Sequence, residues 1–214
     1  NTFGGKVVDA TGKSTVNSPE SVKGLQMLAD HYKNGDIPKQ AITYQEEQAR
    51  TSFEAGKLLF MRQWPYAYNL GNTDGSSKIK GKFAVAPLPG LSGPGASTLG
   101  GHSEGISTYS KYPATAFDFL KFIEEDAQQK FFMQKGSLAP VVESIYTDPE
   151  LVKAAPSLPT LLASIQAAVP RPVTPYYPAV TKAIQDNSYA AIKGEKTAEQ
   201  AIKDMDAAIS AAAG

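Results

Sequence analysis

FEAGKLLFMRQWPYAY, residues 53–68, is the stretch of sequence that decides most about the fold. A helical pattern over residues 44–54 ends at Gly56, and the following residues 57–62 are apolar at almost every position. A short apolar run of this kind predicts a strand that is buried on both faces. The chain is therefore expected to contribute to a sheet that is covered on both sides.

Aromatic residues follow this predicted strand at Trp64, Tyr66 and Tyr68. The apolar CH face of a pyranose ring packs on aromatic side chains, while the hydroxyl groups of the sugar need hydrogen-bond partners around them. Arg62 and Gln63 could supply such partners. Composition alone leaves Trp64, the only tryptophan, open between a ligand platform and a core anchor, and it favours the core for Tyr68.

The helix that precedes the apolar run is amphipathic. Its inward face is predicted to carry Ala49 and Phe53. Its outward face is predicted to carry Glu46, Glu47 and Arg50, because charged pairs three or four residues apart support each other on an exposed helix surface. We therefore expect all three charged side chains to be solvent-exposed.

Further helices are predicted on both sides of this stretch. Ser18 or Asn17 can cap a helix that opens with Pro19 and stops at Asn34 and Gly35. A capping box at the C-terminal end of the chain and glycines after two helical patterns mark other boundaries. The remaining helices are expected near residues 113–123, 127–135, from 148, 157–168, 177–193 and from 197.

Strand signals are fewer. Residues 6–16 predict a hairpin around Gly12, and the apolar segments 83–88 and 106–109 predict two short strands. The glycine-rich segment 90–101 is expected to be a loop that brings backbone close to another group. Three or four strands against about seven helices indicate an α/β chain, but too few strands for a complete doubly wound sheet.

Composition excludes several classes of protein. Among 214 residues, 21 Lys and Arg balance 21 Asp and Glu, so no net field favours nucleic acid or an anionic membrane as a partner. The chain has no cysteine and only two histidines, which excludes disulfides and makes a multi-histidine metal site unfavourable. No apolar run approaches the roughly 20 residues that span a bilayer.

No catalytic or nucleotide-binding motif stands out. The two histidines lie outside any nucleophile-elbow pattern, and neither a P-loop nor a dinucleotide-binding glycine motif occurs. A pair of carboxylates for glycoside hydrolysis stays possible, although nothing singles out two of them. We therefore expect a protein that binds a ligand without catalysing a reaction and without a cofactor.

Several segments together resemble the family 1 extracytoplasmic solute-binding proteins of ABC importers, the group of the maltose- and trehalose-binding proteins. They occur in the order found in that family and span nearly the whole chain. The segments are TVNSPESVKGLQMLADHYKNG (15–35), FEAGKLLFMRQWPYAY (53–68), FAVAPLPG (83–90), LGGHSEGIS (99–107), AFDFLKFI (116–123), RPVTPYYPAVTKAIQ (171–185) and GEKTAEQAIKDM (194–205).

The resemblance implies a periplasmic-binding-protein-like type II fold, with two α/β lobes joined by hinge strands and a sugar held between them. Members of that family are about twice as long as this chain, so the fold is expected to be incomplete and helix-rich here. Residues 1–82 would belong to the second lobe. Residues 83–135 would form a hinge crossing and part of the first lobe, and residues 136–214 would return to the second lobe.

The resemblance also implies where a sugar would be bound. Trp64 and Tyr177 match stacking positions of the family, with Tyr66 and Tyr176 as further aromatic candidates. A glycine pair would let backbone N–H groups approach hydroxyls, and an arginine would donate to two neighbouring hydroxyls. His102 departs from the pattern, since relatives often carry Trp there. The full set of expected ligand-binding residues is Arg62, Trp64, Tyr66, Gly100, Gly101, His102, Arg171, Tyr176 and Tyr177.

The function implied by this resemblance is the binding component of an ABC importer for a neutral oligosaccharide, such as the α-glucosides maltose or trehalose. Its expected partners are the saccharide, the importer's membrane subunits and a missing N-terminal segment of the same protein. The expected location is outside the cytoplasm, in a periplasm or as a cell-surface lipoprotein. Two alternatives stay open: a glycoside hydrolase, and a fragment that binds nothing without its other half.

Overall fold

The computed structural model describes residues 3–214, and α-helices make up most of its regular structure. Short 3₁₀ turns at Lys39–Thr43 and Glu143–Thr147 separate some of them. The helices are α1 (Pro19–Asn34), α2 (Glu46–Glu54), α3 (Tyr66–Thr73), α4 (Pro113–Glu124), α5 (Asp126–Gly136), α6 (Pro149–Ala154), α7 (Leu158–Gln166), α8 (Tyr177–Lys193) and α9 (Ala198–Ala213).

The helix boundaries follow from capping residues that are visible in the sequence. The Ser18 side chain accepts a hydrogen bond from the N–H of Ser21 at the start of α1, and Gly35 ends that helix with φ +88°. Gly194 ends α8 in the same left-handed conformation. The Thr197 side chain accepts from the N–H of Gln200 and starts α9. These predicted helix ends are confirmed.

The predicted hairpin near the start of the described chain is confirmed as a single antiparallel bridge between Val8 and Ser14. The N–H of Asp9 donates to the Lys13 carbonyl at 2.9 Å, and Gly12 takes φ +86° at the turn. A side chain disfavours this conformation, so the turn requires glycine.

The other predicted strands are wrong for residues 3–214, where pairing is limited to three isolated bridges. Residues 57–62, 83–88 and 106–109 have no regular secondary structure. Leu59 and Phe60 are 89% and 90% exposed, although their pattern predicted burial on both faces. The physical reason is that a strand is stabilised by backbone pairing with a neighbouring strand, and no strand of the described residues pairs with these segments.

The chain divides into two compact units, each with its own core. Unit 1 consists of Asn1–Tyr44, Pro89–Thr98 and Val169–Gly214, and unit 2 consists of Gln45–Leu88 and Leu99–Ala168. These boundaries differ from those of the predicted segments 1–82, 83–135 and 136–214. The assignment of each predicted segment to a lobe stays a prediction.

Unit 1 is built on α1, α8 and α9, which pack against one another. Small residues on α8 and α9 let the two helices approach closely, and larger side chains fill the space around them. The buried residues of this core are Val16, Leu25, Val180, Ala183, Ala191, Ala198, Ala201, Ile202, Met205 and Ile209.

Unit 2 has a smaller core between α5, α6, α7 and the turn at Glu143–Thr147. Leu158 is completely buried there, and the Tyr146 hydroxyl donates to the Pro140 carbonyl at 2.6 Å. The buried residues of this core are Met133, Ile145, Tyr146, Leu151 and Leu158. Along the described part of the chain, no helix is long and apolar enough to cross a membrane.

The expectation that Arg50 lies on the exposed face of α2 is wrong. Arg50 and Glu54 are both buried, and the Arg50 Nη1 atom lies 2.8 Å and 2.7 Å from the two Glu54 carboxylate oxygens. Four residues apart on a helix, the two charges neutralise each other inside the protein, so the pair is buried although neither member alone would be. Phe53 faces inward as predicted and packs edge-to-face on Phe83 at 5.7 Å.

Candidate ligand-binding residues

Trp64 lies in unit 2, two residues before the first residue of α3. Its carbonyl accepts a hydrogen bond from the N–H of Ala67 at 3.2 Å, which fixes the indole-bearing residue to the first turn of the helix. The side chain is 48% exposed, so Trp64 is not the buried core anchor that composition left open. Tyr68 is the residue of this run that packs inward, with its ring 5.5 Å from that of Phe83.

The outer edge of the Trp64 indole lies against Gly100. A Cβ atom added at Gly100 would be 2.7 Å from the indole Cη2 and 3.4 Å from Cζ3. Any side chain at this position would therefore displace the ring. The predicted close approach to the glycine-rich segment occurs at Gly100, whereas nothing lies within 4 Å of a Cβ at Gly101.

Tyr66 lies two residues beyond Trp64 and is half-buried. Its hydroxyl oxygen is 2.6 Å from Glu46 Oε1 and 2.7 Å from Glu47 Oε1, both on the first turn of α2. Burial and hydrogen bonds to Glu46 and Glu47 raise the pKa of Tyr66 well above its usual value. The hydroxyl is therefore protonated at physiological pH and acts as a donor to these carboxylates.

Glu47 is held in place by Arg50. The Arg50 Nε atom is 2.9 Å from Glu47 Oε2, and its Nη2 contacts the same oxygen. Hydrogen bonds from Arg50 and then from Tyr66 lower the pKa of the Glu47 carboxyl, which stays ionised. The contacts of Tyr66 thus continue through Arg50 to the buried Glu54.

Gln63 has both ends of its side-chain amide engaged. Its Nε2 donates to the Glu46 carbonyl at 2.9 Å, and its Oε1 accepts from the N–H of Trp64 at 2.9 Å. The sequence suggested Gln63 as a hydrogen-bonding group for a ligand, but the structure gives it these two internal partners. Arg62 and His102, also in unit 2, have exposed side chains.

Arg171 and Tyr177 are close together in unit 1. The Arg171 guanidinium lies over the Tyr177 ring, 5.6 Å from its centroid, a distance typical of a cation–π contact. Arg171 is exposed, whereas Tyr177 is half-buried at the start of α8 and packs against the unit 1 core. The contact orients the guanidinium and leaves its donors accessible to solvent.

Tyr176 is bound internally. Its hydroxyl donates to the Gly12 carbonyl at 2.5 Å, and its ring packs against the unit 1 core. Its polar group is therefore already paired with the turn of the hairpin at Val8–Ser14.

The predicted binding residues fall into two sets, one in each unit. Unit 2 holds Arg62, Trp64, Tyr66, Gly100, Gly101 and His102, and unit 1 holds Arg171, Tyr176 and Tyr177.

Two cavities of about 760 and 420 Å³ lie in unit 1, beside α1 and α9 and beside α1 and α8. None of the predicted binding residues lines either cavity. Within residues 3–214 there is no group of His, Asp and Glu side chains arranged to hold a metal ion.

Residues 2–160 match the model of the family described as bacterial extracellular solute-binding protein. The chain belongs to this family. A relative named as a probable ABC transporter-binding protein, from Deinococcus radiodurans, is 36% identical over 207 residues. That match covers 95% of this chain and 49% of the relative.

Solved structures that are similar to this chain include two with a bound sugar. The maltose-bound structure of MalE3 from T. maritima has a TM-score of 0.90 and 39% identity, over 97% of this chain and 54% of that one. An ABC transporter solute-binding protein from Thermotoga lettingae, bound with α-D-tagatose, has a TM-score of 0.88 and 25% identity, over 100% of this chain and 54% of that one.

These similarities confirm the predicted fold class, a helix-rich portion of the periplasmic-binding-protein-like α/β fold. The chain spans about half the length of the relatives it matches. The family and the Thermotoga lettingae protein are described as solute-binding proteins, and the Deinococcus relative as a probable ABC transporter-binding protein. These descriptions agree with the expectation that the chain is not an enzyme.

Proposed function

We propose that this chain is part of the substrate-binding component of an ABC importer and binds a neutral oligosaccharide, an α-glucoside disaccharide such as maltose or trehalose. The observation that carries the proposal is the half-exposed Trp64 indole seated against Gly100. A large aromatic surface fixed at one edge and open to solvent is suited to the apolar face of a sugar ring.

Exposed polar groups in each unit are further candidates for contacts with sugar hydroxyls. In unit 2, the exposed Arg62 and His102 offer donors for hydroxyl groups, and the backbone at Gly101 is unobstructed. In unit 1, the Tyr177 ring offers a second aromatic surface, and the Arg171 guanidinium over it can donate two hydrogen bonds to neighbouring hydroxyls. The balanced net charge of the chain agrees with an uncharged ligand.

The choice of sugar draws on similarity. The maltose-bound T. maritima protein is 39% identical to this chain, and the resemblance to the maltose- and trehalose-binding group rests on the segments around Trp64 and Tyr177. We propose that ligand binding favours a closed form through hinge movement, since a ligand can shift an equilibrium toward the state it binds more tightly. The importer's membrane subunits would recognise that form outside the cytoplasm, in a periplasm or at the cell surface as a lipoprotein.

Tryptophan fluorescence tests the proposal directly, because Trp64 is the sole tryptophan. The 214-residue chain is titrated with maltose and with trehalose, and the wild type is compared with Trp64→Ala by calorimetry. We expect a saturable fluorescence change and a loss of more than about tenfold in affinity in the variant, since aromatic stacking contributes about 1.5 kcal/mol. Equal affinities of the two proteins would exclude stacking on Trp64.

Two controls separate the other possibilities. Chromatography of the sugar after incubation detects hydrolysis, and sustained turnover would contradict a binding function. We propose that an N-terminal segment of the same protein contributes to the site, and the same titration is repeated on a longer chain that includes it. Binding by the longer chain but not by this one would assign a necessary part of the site to that segment, while absence of binding by both would contradict an α-glucoside ligand.

A further inference from the structure

Gln63 and Tyr66, which lie on either side of Trp64 in the sequence, both form hydrogen bonds to Glu46 of α2. Glu46 accepts a hydrogen bond from the Gln63 side chain through its main-chain carbonyl, and it contacts the Tyr66 hydroxyl through its carboxylate. Gln63 precedes Trp64 directly and Tyr66 follows it by two positions. The short segment that carries the indole is therefore held on both sides by the first turn of α2.

The Gln63 side chain also forms a hydrogen bond to the backbone of Trp64. Gln63 Oε1 accepts the main-chain N–H of Trp64 at 2.9 Å, while Gln63 Nε2 donates to Glu46 at the same distance. One planar amide thus joins the Trp64 backbone to the helix. A side-chain amide carries an oxygen that can accept from the Trp64 N–H and a nitrogen that can donate to the Glu46 carbonyl.

The helix end of this arrangement includes a buried ion pair. Glu47 shares the Tyr66 hydroxyl with Glu46 and bonds to Arg50, which is itself paired with the buried Glu54. The Glu54 carbonyl accepts the N–H of Lys78 at 2.8 Å. The contacts of the Trp64 segment therefore continue from the exposed Glu46 and Glu47 to a buried ion pair.

We propose that Gln63 is a positioning residue, whose amide fixes the backbone of Trp64 to α2 and thereby sets the indole against Gly100 in a pose ready for a sugar ring. This inference rests on the proposed function. The Gln63 amide bonds internally at both ends, which is why we assign it to positioning the indole. The Tyr66 hydroxyl provides a second link between this segment and α2, with the carboxylates of Glu46 and Glu47 as acceptors.

The test uses Gln63→Ala, Gln63→Glu and, as a matched control, Gln134→Ala, which removes an exposed glutamine from α5 in the same unit. Fluorescence anisotropy and acrylamide quenching of Trp64 are measured without ligand. We expect lower anisotropy and faster quenching in Gln63→Ala. The Gln63→Glu protein keeps the acceptor for Trp64 but loses the donor to Glu46, so its values should lie between those of Gln63→Ala and the wild type. The control should match the wild type.

Maltose titration provides the second readout. We expect binding to weaken about tenfold in Gln63→Ala, because two hydrogen bonds that preorganise the indole are lost, with an unchanged far-UV circular dichroism spectrum. Wild-type anisotropy and quenching in Gln63→Ala would overturn the proposal. If neither the wild-type chain nor a longer chain that includes the N-terminal segment binds maltose or trehalose, the proposed function fails, while the ligand-free fluorescence still decides the role of Gln63.

Discussion

The Trp64 indole and Gly100 are in contact although 36 positions separate them in the chain, and a Cβ on residue 100 would lie 2.7 Å from the ring. Contacts this short are not tolerated between carbon atoms, so a side chain would force the indole to move. The pose of Trp64 therefore depends on the absence of a side chain at one glycine.

Replacing Gly100 with Ala should displace the indole and weaken saccharide binding by about tenfold, comparable to removing the ring. The Trp64 emission maximum should shift even without ligand. Gly101→Ala is the matched control, because nothing lies within 4 Å of its added Cβ. Equal emission spectra for the two variants would contradict the close contact.

The buried Arg50–Glu54 pair predicts a large effect on stability. Arg50→Ala leaves the Glu54 carboxylate buried without its partner, and the free energy of unfolding should fall by about 3–5 kcal/mol. Urea unfolding followed by circular dichroism measures the change. Lys182→Ala, which breaks an exposed pair with Asp186 at the same helical spacing, should cost at most about 1 kcal/mol. A similar loss in both variants would show that burial of the Arg50 pair is unimportant.

Tyr176 and Tyr177 are neighbours with different expected roles. Tyr176→Phe removes the hydrogen bond to the Gly12 carbonyl and should lower the free energy of unfolding by about 1 kcal/mol, with little change in saccharide affinity. Tyr177→Ala should instead reduce affinity through loss of the ring beside Arg171. Thermal unfolding and calorimetry on both variants separate the roles, and a binding defect in Tyr176→Phe would contradict this division.

Asp148 makes stability depend on pH. Its carboxylate accepts from Lys130 at 2.6 Å and caps α6, and hydrogen bonds from Lys130 and from backbone N–H groups lower its pKa. The folded state therefore binds a proton less readily than the unfolded state, whose ordinary value is 3.8. The stabilisation is complete above that pH and is lost as the pH falls through the lower folded value.

Asp148→Asn should flatten this acid dependence, because Asn can still cap α6 but does not titrate. Urea unfolding midpoints are compared between neutral pH and pH values below 3.8. Asp118→Asn removes an exposed carboxylate from α4 in the same unit and serves as the control. An unchanged acid dependence in Asp148→Asn would assign the effect to other carboxylates.

The helices could be predicted because their ends are determined locally. Ser18 and Thr197 accept hydrogen bonds from N–H groups three residues ahead, and Gly35 and Gly194 adopt conformations that other residues avoid. Each of these signals lies within a few residues of the boundary that it sets. Their effect does not depend on the rest of the fold.

The features that the sequence did not predict are contacts between residues that are paired or distant in the chain. The amphipathic pattern of α2 predicts Arg50 on the exposed face, and its pairing with Glu54 reverses that expectation. The residues around Trp64 could be selected from the aromatic run, but the role of Gln63 depends on Glu46, seventeen positions earlier. Periodicity carries no information about such a contact.

The exposed apolar segment 57–62 favours association between molecules of this chain. Leu59 and Phe60 are almost fully accessible, and in the described chain no neighbouring strand covers their backbone. An exposed apolar segment that is not paired in a sheet can act as a template for pairing between molecules, which leads to aggregation. Lys57 and Arg62 lie at its two ends, and the repulsion between their like charges on neighbouring molecules opposes such pairing.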